Sequence, residues 1–324
     1  MHAYCSYFDR GYLTRGLALI ESLRQHGDSS EIWILALDEA VEADFAERQL
    51  DGVRVISVAV IESAVPELLA VKAERSRMEY YFTCTPLLIR YVMDQSDPGT
   101  SVAYLDADLG YFGDPDSVFE AMGDGSIGII EHRYPARLAA RLAKYGRFNV
   151  GWVGFADDAH GRACLDWWGD RTLEWCSDTP ELGKYADQGY LDRFPELFEG
   201  VSILPSAGMD LAPWNTSRSR IVSTETGVEV DGDPLVFFHF HGLRRVGGWW
   251  VTSQLVYGAR TGAVLRDQVY GPYARALERW AATTPAVPPP AARGTGIRGL
   301  MFRTQRALLD RISIVTRNAV RAVG

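Results

Sequence analysis

Two aspartates separated by one small residue, Asp106-Ala107-Asp108, directly follow the apolar run Val102–Leu105. At the carboxyl end of a parallel strand, both carboxylates would open into the crevice where α/β sheets bind ligands. Hard oxygen ligands of this kind suit Mn²⁺ or Mg²⁺, ions that bridge a diphosphate and stabilise the charge on a departing nucleotide. An isolated triplet of this kind is also a common acidic turn, so its place after a strand is what gives it weight. A second cluster, Phe237-Phe238-His239-Phe240-His241-Gly242-Leu243-Arg244-Arg245, is the natural complement. There a histidine leaving an apolar strand supplies a nitrogen ligand, Gly242 permits close backbone approach, and Arg245 can meet phosphate oxygens. Without the upstream aspartates, His239 and His241 would read as edge-strand residues, one packed and one solvated.

The elements that must position these groups follow from the hydrophobic periodicity. Apolar runs at Ala3–Tyr7, Ile32–Leu37, Val53–Val58 and Val102–Leu105 read as strands. Between them lie helical patterns at Tyr12–Gln25 and Ala40–Gln49, and a longer one broken or started around Pro86. The alternation predicts an α/β fold with a mostly parallel sheet and helices on both faces. Beyond Asp108 the pattern is mixed, with short strands near Ile127–Ile130, Asn149–Phe155, Val201–Leu204 and Leu235–Phe240 and a helix at Ala163–Cys176. Residues 1–284 form one catalytic-sized domain, 285–293 (PAVPPPAAR from Pro285) a proline-rich linker, and 294–324 a basic amphipathic helix.

Composition narrows the function classes. The 324 residues are 47% hydrophobic and 23% charged, an ordinary globular balance. Net charge is −9, yet from Pro285 onward seven arginines stand against Asp310 alone, so the tail carries +6 and the remainder −15. An acidic body argues against nucleic acid as the main partner. Cys5, Cys84, Cys164 and Cys176 are too scattered for a zinc or redox motif and read as buried reduced thiols of a cytoplasmic protein. Early charges interrupt any secretory apolar region after Met1, and no run is long enough to span a bilayer.

Taken in order, the motifs resemble the retaining, metal-dependent glycosyltransferases of family eight, which have the GT-A (Rossmann-like) fold. The resemblance covers most of residues 1–250 through Tyr7-Phe8-Asp9, Asp106-Ala107-Asp108, Phe148-Asn149-Val150-Gly151, Asp187-Gln188 and the His239–Arg245 block. It implies Asp106, Asp108 and His239 as metal ligands. It implies further that Arg245 stands where the family has a diphosphate-binding lysine, that Tyr7 and Asp9 meet the base or ribose, and that Asn149, Asp187 and Gln188 line the donor sugar. A hexose would pass from a nucleotide-diphosphate sugar, first of all a UDP-sugar, to a hydroxyl of a glycan or lipid-linked saccharide, with retention.

The sequence also departs from the family pattern. Where the family often carries a basic donor contact before the aspartates, this chain has Thr83-Cys84-Thr85-Pro86-Leu87-Leu88, and Arg75 or Arg77 is the candidate substitute from upstream. Trp214 and Trp249 are the aromatic candidates for a sugar platform, whereas tryptophans on the Ala163–Cys176 helix suit the core. Two competing readings are a catalytically silent sugar-nucleotide-binding protein and a sugar nucleotidyltransferase. The second expects a glycine-rich phosphate loop that Cys5-Ser6-Tyr7-Phe8-Asp9-Arg10-Gly11 lacks. In the tail, Arg298–Val323 places apolar residues at helical spacing among arginines, a pattern for peripheral contact with the inner face of an anionic membrane or for docking on the acidic body.

Overall fold

The structure, a computed structural model, describes residues 1–181, 183–285 and 297–322, with residues 297–303 described by backbone alone. Eight strands are central to it: β1 His2–Phe8, β2 Glu31–Ala36, β3 Val53–Ser57, β4 Ser101–Leu105, β5 Leu109–Tyr111, β6 Ile127–Glu131, β7 Phe148–Phe155 and β8 Val201–Ile203. Seven of them make one sheet in the order β3-β2-β1-β4-β7-β6-β8. The first four run parallel, β7 is antiparallel to both β4 and β6, and β8 is again parallel to β6.

Period-two alternation explains why helices cover both faces. Ala3 and Cys5 of β1, Trp33 and Leu35 of β2, and Val102 and Tyr104 of β4 pack into one core with helices Arg77–Gln95 and Ala159–Glu174. The intervening Tyr4, Ile32, Ile34, Ala103 and Leu105 face the other way, against Leu17, Ile20 and Leu23 of helix Leu13–Gln25 and Val41 and Phe45 of Glu39–Arg48. Fully burying a leucine such as Leu17 contributes roughly 1.5–3 kcal/mol, so these faces hold the sheet edge that carries the aspartates.

Two local expectations are corrected. The long helix neither breaks nor starts at Pro86; it begins at Arg77, where Ser76 and Glu79 form a reciprocal capping box, and runs through the buried proline to Gln95. The strand expected at Leu235–Phe240 is shorter. Asp233–Pro234 pairs with Val228–Val230, and only Phe237–His239 joins β5.

The tail is corrected as well, while residues 286–293 of the expected linker lie outside the described residues. The helix spans Ile297–Val315 and stops there, Arg317 turning the chain at φ +60°. Ala319–Arg321 then adds an antiparallel strand to Trp249–Val251, itself paired with Arg244–Val246. Asn318, 1% exposed, fastens this end: its side-chain oxygen accepts the Thr261 N–H at 2.7 Å. Asn318→Ala should leave that buried N–H unpaired, costing about 1–3 kcal/mol and lowering the calorimetric melting temperature by several degrees. An unchanged melting curve would show that the tail contributes nothing to the body.

Candidate active site

A two-stranded ribbon assembles the site. After β4 the chain turns through Asp106, where the Leu109 N–H donates to the Asp106 carbonyl at 3.1 Å, and enters β5. The antiparallel pairing of β5 with Phe237–His239 sets His239 opposite Leu109, one residue past Asp108. The Phe240 N–H donates to the Asp108 carbonyl at 2.8 Å and closes the register. The outcome is a convergent trio, with His239 Nε2 lying 3.1 Å from Asp108 Oδ1 and 3.6 Å from Asp106 Oδ2. Gly151 makes room on the β7 side, because a Cβ there would lie 2.8 Å from His239 Nδ1 and 2.5 Å from Asn149 Oδ1. The glycine of the Phe148–Gly151 motif is thus a close-approach residue.

The electrostatics are unbalanced. Recession into the cleft pushes the Asp106 carboxyl up, His239 pulls it back, and the Asp108 charge adds to the rise. Burial acts in the same upward sense on Asp108, but His239 outweighs it and brings that carboxyl to about 2. Burial depresses His239 itself, yet Asp108, Asp210 and Asp106 together hold its imidazole well above the ordinary value. His241 differs: burial, then the neighbouring His239 charge, lower it to about 4. Asp187 is lifted by burial to about 7.

Asp210 is the residue that sequence reasoning missed. It is fully buried, it adopts φ +56°, and its Oδ1 lies 3.5 Å from His239 Nδ1. Neither of its carboxylate oxygens, nor His239 Nδ1, has a hydrogen-bond partner. Its backbone is tightly held: the Asn215 amide donates to the Asp210 carbonyl at 2.9 Å, and the His239 N–H donates to the Leu211 carbonyl at 2.8 Å. The signal was Met209-Asp210-Leu211, an acid inside an apolar stretch, whose position beside His239 only the tertiary pairing reveals.

The remaining candidates separate into groups. Asn149, Asp187 and Gln188 come together beside the trio: Asn149 Nδ2 donates to Gln188 Oε1 at 3.2 Å, and Gln188 Nε2 donates to the Tyr145 carbonyl at 2.7 Å. Tyr7 borders the same space and pairs its hydroxyl with Thr85 Oγ1 at 3.2 Å. Asp9 accepts the Gly11 N–H at 2.8 Å and holds Arg77 at 2.8 Å at the rim. Arg75 instead ties helix Ala159–Glu174 through the Thr172 and Leu173 carbonyls. Gly242, at φ +71°, turns the chain past Ser253. Arg245 stands outside the cleft, its Nε 2.8 Å from Glu278. Trp214 lies in the cleft with its ring edge-on to His239 and His241, while Trp249 sits on the small C-terminal sheet.

Among the described residues the ligand atoms of Asp106, Asp108 and His239 lie within 4.8 Å of one another. Two oxygen donors, one imidazole nitrogen and unpaired buried oxygens behind them fit a hard divalent cation such as Mn²⁺ or Mg²⁺.

This sheet order, with a carboxylate-bearing turn after the fourth strand, is the GT-A glycosyltransferase fold. The galactosyltransferase LgtC, in complex with donor and acceptor sugar analogs, superposes with a TM-score of 0.55 at 18% identity, covering 88% of this chain and 97% of that one. GlyE of Streptococcus pneumoniae TIGR4 gives 0.50 at 16% identity, over 90% of this chain and 66% of that one. No family model matches the chain. It belongs to the family of YfnF, an uncharacterized protein of Bacillus subtilis (strain 168), being 33% identical over 251 residues that cover 75% of this chain and 82% of YfnF. YfnD of the same organism, also uncharacterized, is 29% identical over 280 residues, covering 86% of this chain and 89% of that protein.

The Asp210–His239 contact generates a test. A carboxylate behind a ligating imidazole fixes its tautomer and raises its basicity, and losing one typically costs 10–100-fold in metal affinity. Asp210→Asn should weaken Mn²⁺ binding about tenfold or more in isothermal titration while the far-ultraviolet circular dichroism stays unchanged. Wild-type affinity in this variant would remove Asp210 from the site.

Proposed function

We propose that this chain is a metal-dependent glycosyltransferase that moves a hexose from a UDP-sugar to a hydroxyl of a glycan or lipid-linked saccharide, with retention. The observation that supports it best is the Asp106–Asp108–His239 trio, of which Asp106 and His239 line two adjoining lobes of the cleft. One lobe, of about 230 Å³, includes Tyr7, Asp9, Tyr12 and Tyr81 and suits the base and ribose. The other, of about 280 Å³, includes Asn149, Asp187 and Gln188 and suits the transferred sugar.

In this reading Asp106, Asp108 and His239 hold Mn²⁺ or Mg²⁺, which when bound neutralises the diphosphate leaving group. The chain's own residues do the rest. Tyr7 and Tyr81 flank the base, while Asp9, steadied by Arg77, faces the ribose. Asn149 and Gln188, locked to each other, present polar edges to the sugar. Asp187, raised by burial to about 7 and so only partly ionised at neutral pH, can donate or accept a hydrogen bond at the sugar face. For Arg245 to meet phosphate it would have to leave Glu278; Arg15, which donates to the Leu243 carbonyl at 2.8 Å and whose charge acts on Asp108, is an alternative.

We extend the proposal to the tail, as a peripheral contact at the cytoplasmic face of a membrane. Helix Ile297–Val315 turns Asp310 and Ser313 toward the body, where Asp310 pairs with Arg244, and leaves Leu308, Leu309, Ile312 and Val315 exposed beside Arg306 and Arg311. Over 304–315, where the side chains are described, polar residues inward and apolar ones outward is the reverse of a helix serving its own core. Arginines flanking the apolar face complement an anionic lipid surface, each adding about 1 kcal/mol near it. Among the described residues no helix is long and apolar enough to cross a membrane.

Three measurements test these assignments. A donor-hydrolysis screen over UDP-, GDP- and TDP-sugars with Mn²⁺ should show turnover with a UDP-hexose and a loss of at least a hundredfold in Asp108→Ala, whose melting temperature should stay near wild type. Near wild-type turnover in that variant rejects the metal assignment. His239→Ala should weaken Mn²⁺ binding far more than His241→Ala; equal effects mean that the histidines have exchanged roles. For the tail, the full chain should co-sediment with anionic but not neutral vesicles at low salt, and replacing Leu308, Ile312 and Val315 together by serine should abolish this. Retained sedimentation in the triple variant excludes the exposed apolar face as the contact.

A further inference from the structure

The lobe that the proposed function assigns to the transferred sugar carries a positive charge that has no anionic partner among the described residues. Arg141 lines it, at the end of the short 3₁₀ helix Ala136–Arg141. Its guanidinium lies 4.8 Å from the Tyr257 ring centroid and 5.8 Å from that of Tyr145. Among the described residues it makes no hydrogen bond and no ion pair.

Two nearby arginines are engaged elsewhere, while Lys144 lies over the Tyr145 ring at 4.9 Å. Arg137 donates to Ser217 Oγ at 2.7 Å and to the Tyr257 carbonyl at 2.8 Å, and Arg147 pairs with Glu131. These contacts fix the segment from one side, and the bond from Gln188 to the Tyr145 carbonyl fixes it from the other. Arg141 is therefore held between two anchors and packed on two phenol rings, which favours a limited set of guanidinium positions at the edge of the lobe. A planar, always-charged fork in a partly desolvated aromatic setting is the arrangement that recognises carboxylate or phosphate oxygens by paired hydrogen bonds.

The donor diphosphate does not account for it. Under the proposed function the diphosphate sits at the Asp106–Asp108–His239 trio, and Arg141 belongs to the sugar-side lobe and not to the nucleotide-side one. A neutral hexose and a neutral acceptor hydroxyl would leave this cation unused beside Tyr134, Tyr145 and Tyr257.

We infer that Arg141 recognises an anionic group, a carboxylate or a phosphate, carried by the substrate that fills the sugar-side lobe, in addition to the diphosphate held at the trio. This rests on the glycosyltransferase reading and deepens it: one of the two sugars is acidic, or the acceptor bears a phosphate. The anion has two possible sources, the donor sugar and the acceptor, and binding experiments separate them.

The test uses the full chain with Mn²⁺, comparing wild type, Arg141→Gln and Arg141→Lys. Titration with UDP alone comes first, and UDP that fails to bind wild type sinks the UDP-sugar reading on which this inference rests before Arg141 is at issue. With UDP bound, the donor arm compares UDP-glucuronate with UDP-glucose. The acceptor arm, in saturating UDP, compares glucuronate and glucose 1-phosphate with glucose by saturation-transfer NMR. The inference expects wild type to favour the acidic probe about tenfold or more in one arm, which identifies the source. It also expects Arg141→Gln to erase that preference, Arg141→Lys to retain part of it, and UDP affinity to stay within about twofold throughout. Two results overturn the inference: no acidic preference in either arm, or an Arg141→Gln variant that loses UDP affinity about tenfold, which would give Arg141 to the diphosphate. Unchanged melting temperatures for both variants establish that the differences arise in the lobe.

Discussion

Everything at the cleft depends on a three-residue pairing, Leu109–Tyr111 against Phe237–His239. Two aspartates brought together at a strand end repel each other, and a lone pair of carboxylates in a recessed site would shed one charge by taking up a proton. The ribbon prevents that outcome by delivering an imidazole to the same point from more than a hundred residues downstream. Its register leaves no slack, because a shift by one residue would turn His239 to the opposite face and bring a phenylalanine beside Asp108.

The rest of the architecture can be understood as support for that ribbon. The parallel half of the sheet fixes β4 and the turn after it. The antiparallel β7 brings Gly151, whose missing side chain leaves space for the imidazole, and Asn149, whose amide donates to Gln188 and ties that side of the cleft to the sheet. Behind the ribbon, Asp210 sits in a backbone conformation that an aspartate tolerates better than most residues. The acidic groups outnumber the basic ones at this spot, an imbalance that a bound cation would offset.

How much of this was legible in the sequence varied with the range of the interaction. The strands and helices of the first hundred residues show their period plainly, since each buries one clear face and each face is set by neighbours a few positions away. The aspartates, His239 and the glycine of Phe148–Gly151 were legible as types in an order, because their spacing around a strand end is local. Asp210 and Arg141 were not: one looks like any acid near a turn and the other like any surface arginine, and only long-range packing gives each its neighbour. The tail was read by period alone. Periodicity found a helix among the arginines but could not show that Asn318 and Ala319 would leave it to finish a sheet begun at Arg244.

That last strand has a consequence for synthesis. Trp249–Val251 is made well before Ala319–Arg321, which completes its sheet. At 5–20 residues per second, the intervening stretch takes roughly 3–14 s to emerge. For that interval the nascent chain presents an unpaired strand edge, the feature that folded proteins take care to cover. Until Ala319–Arg321 emerges, the sheet begun at Arg244 therefore stays open at one margin.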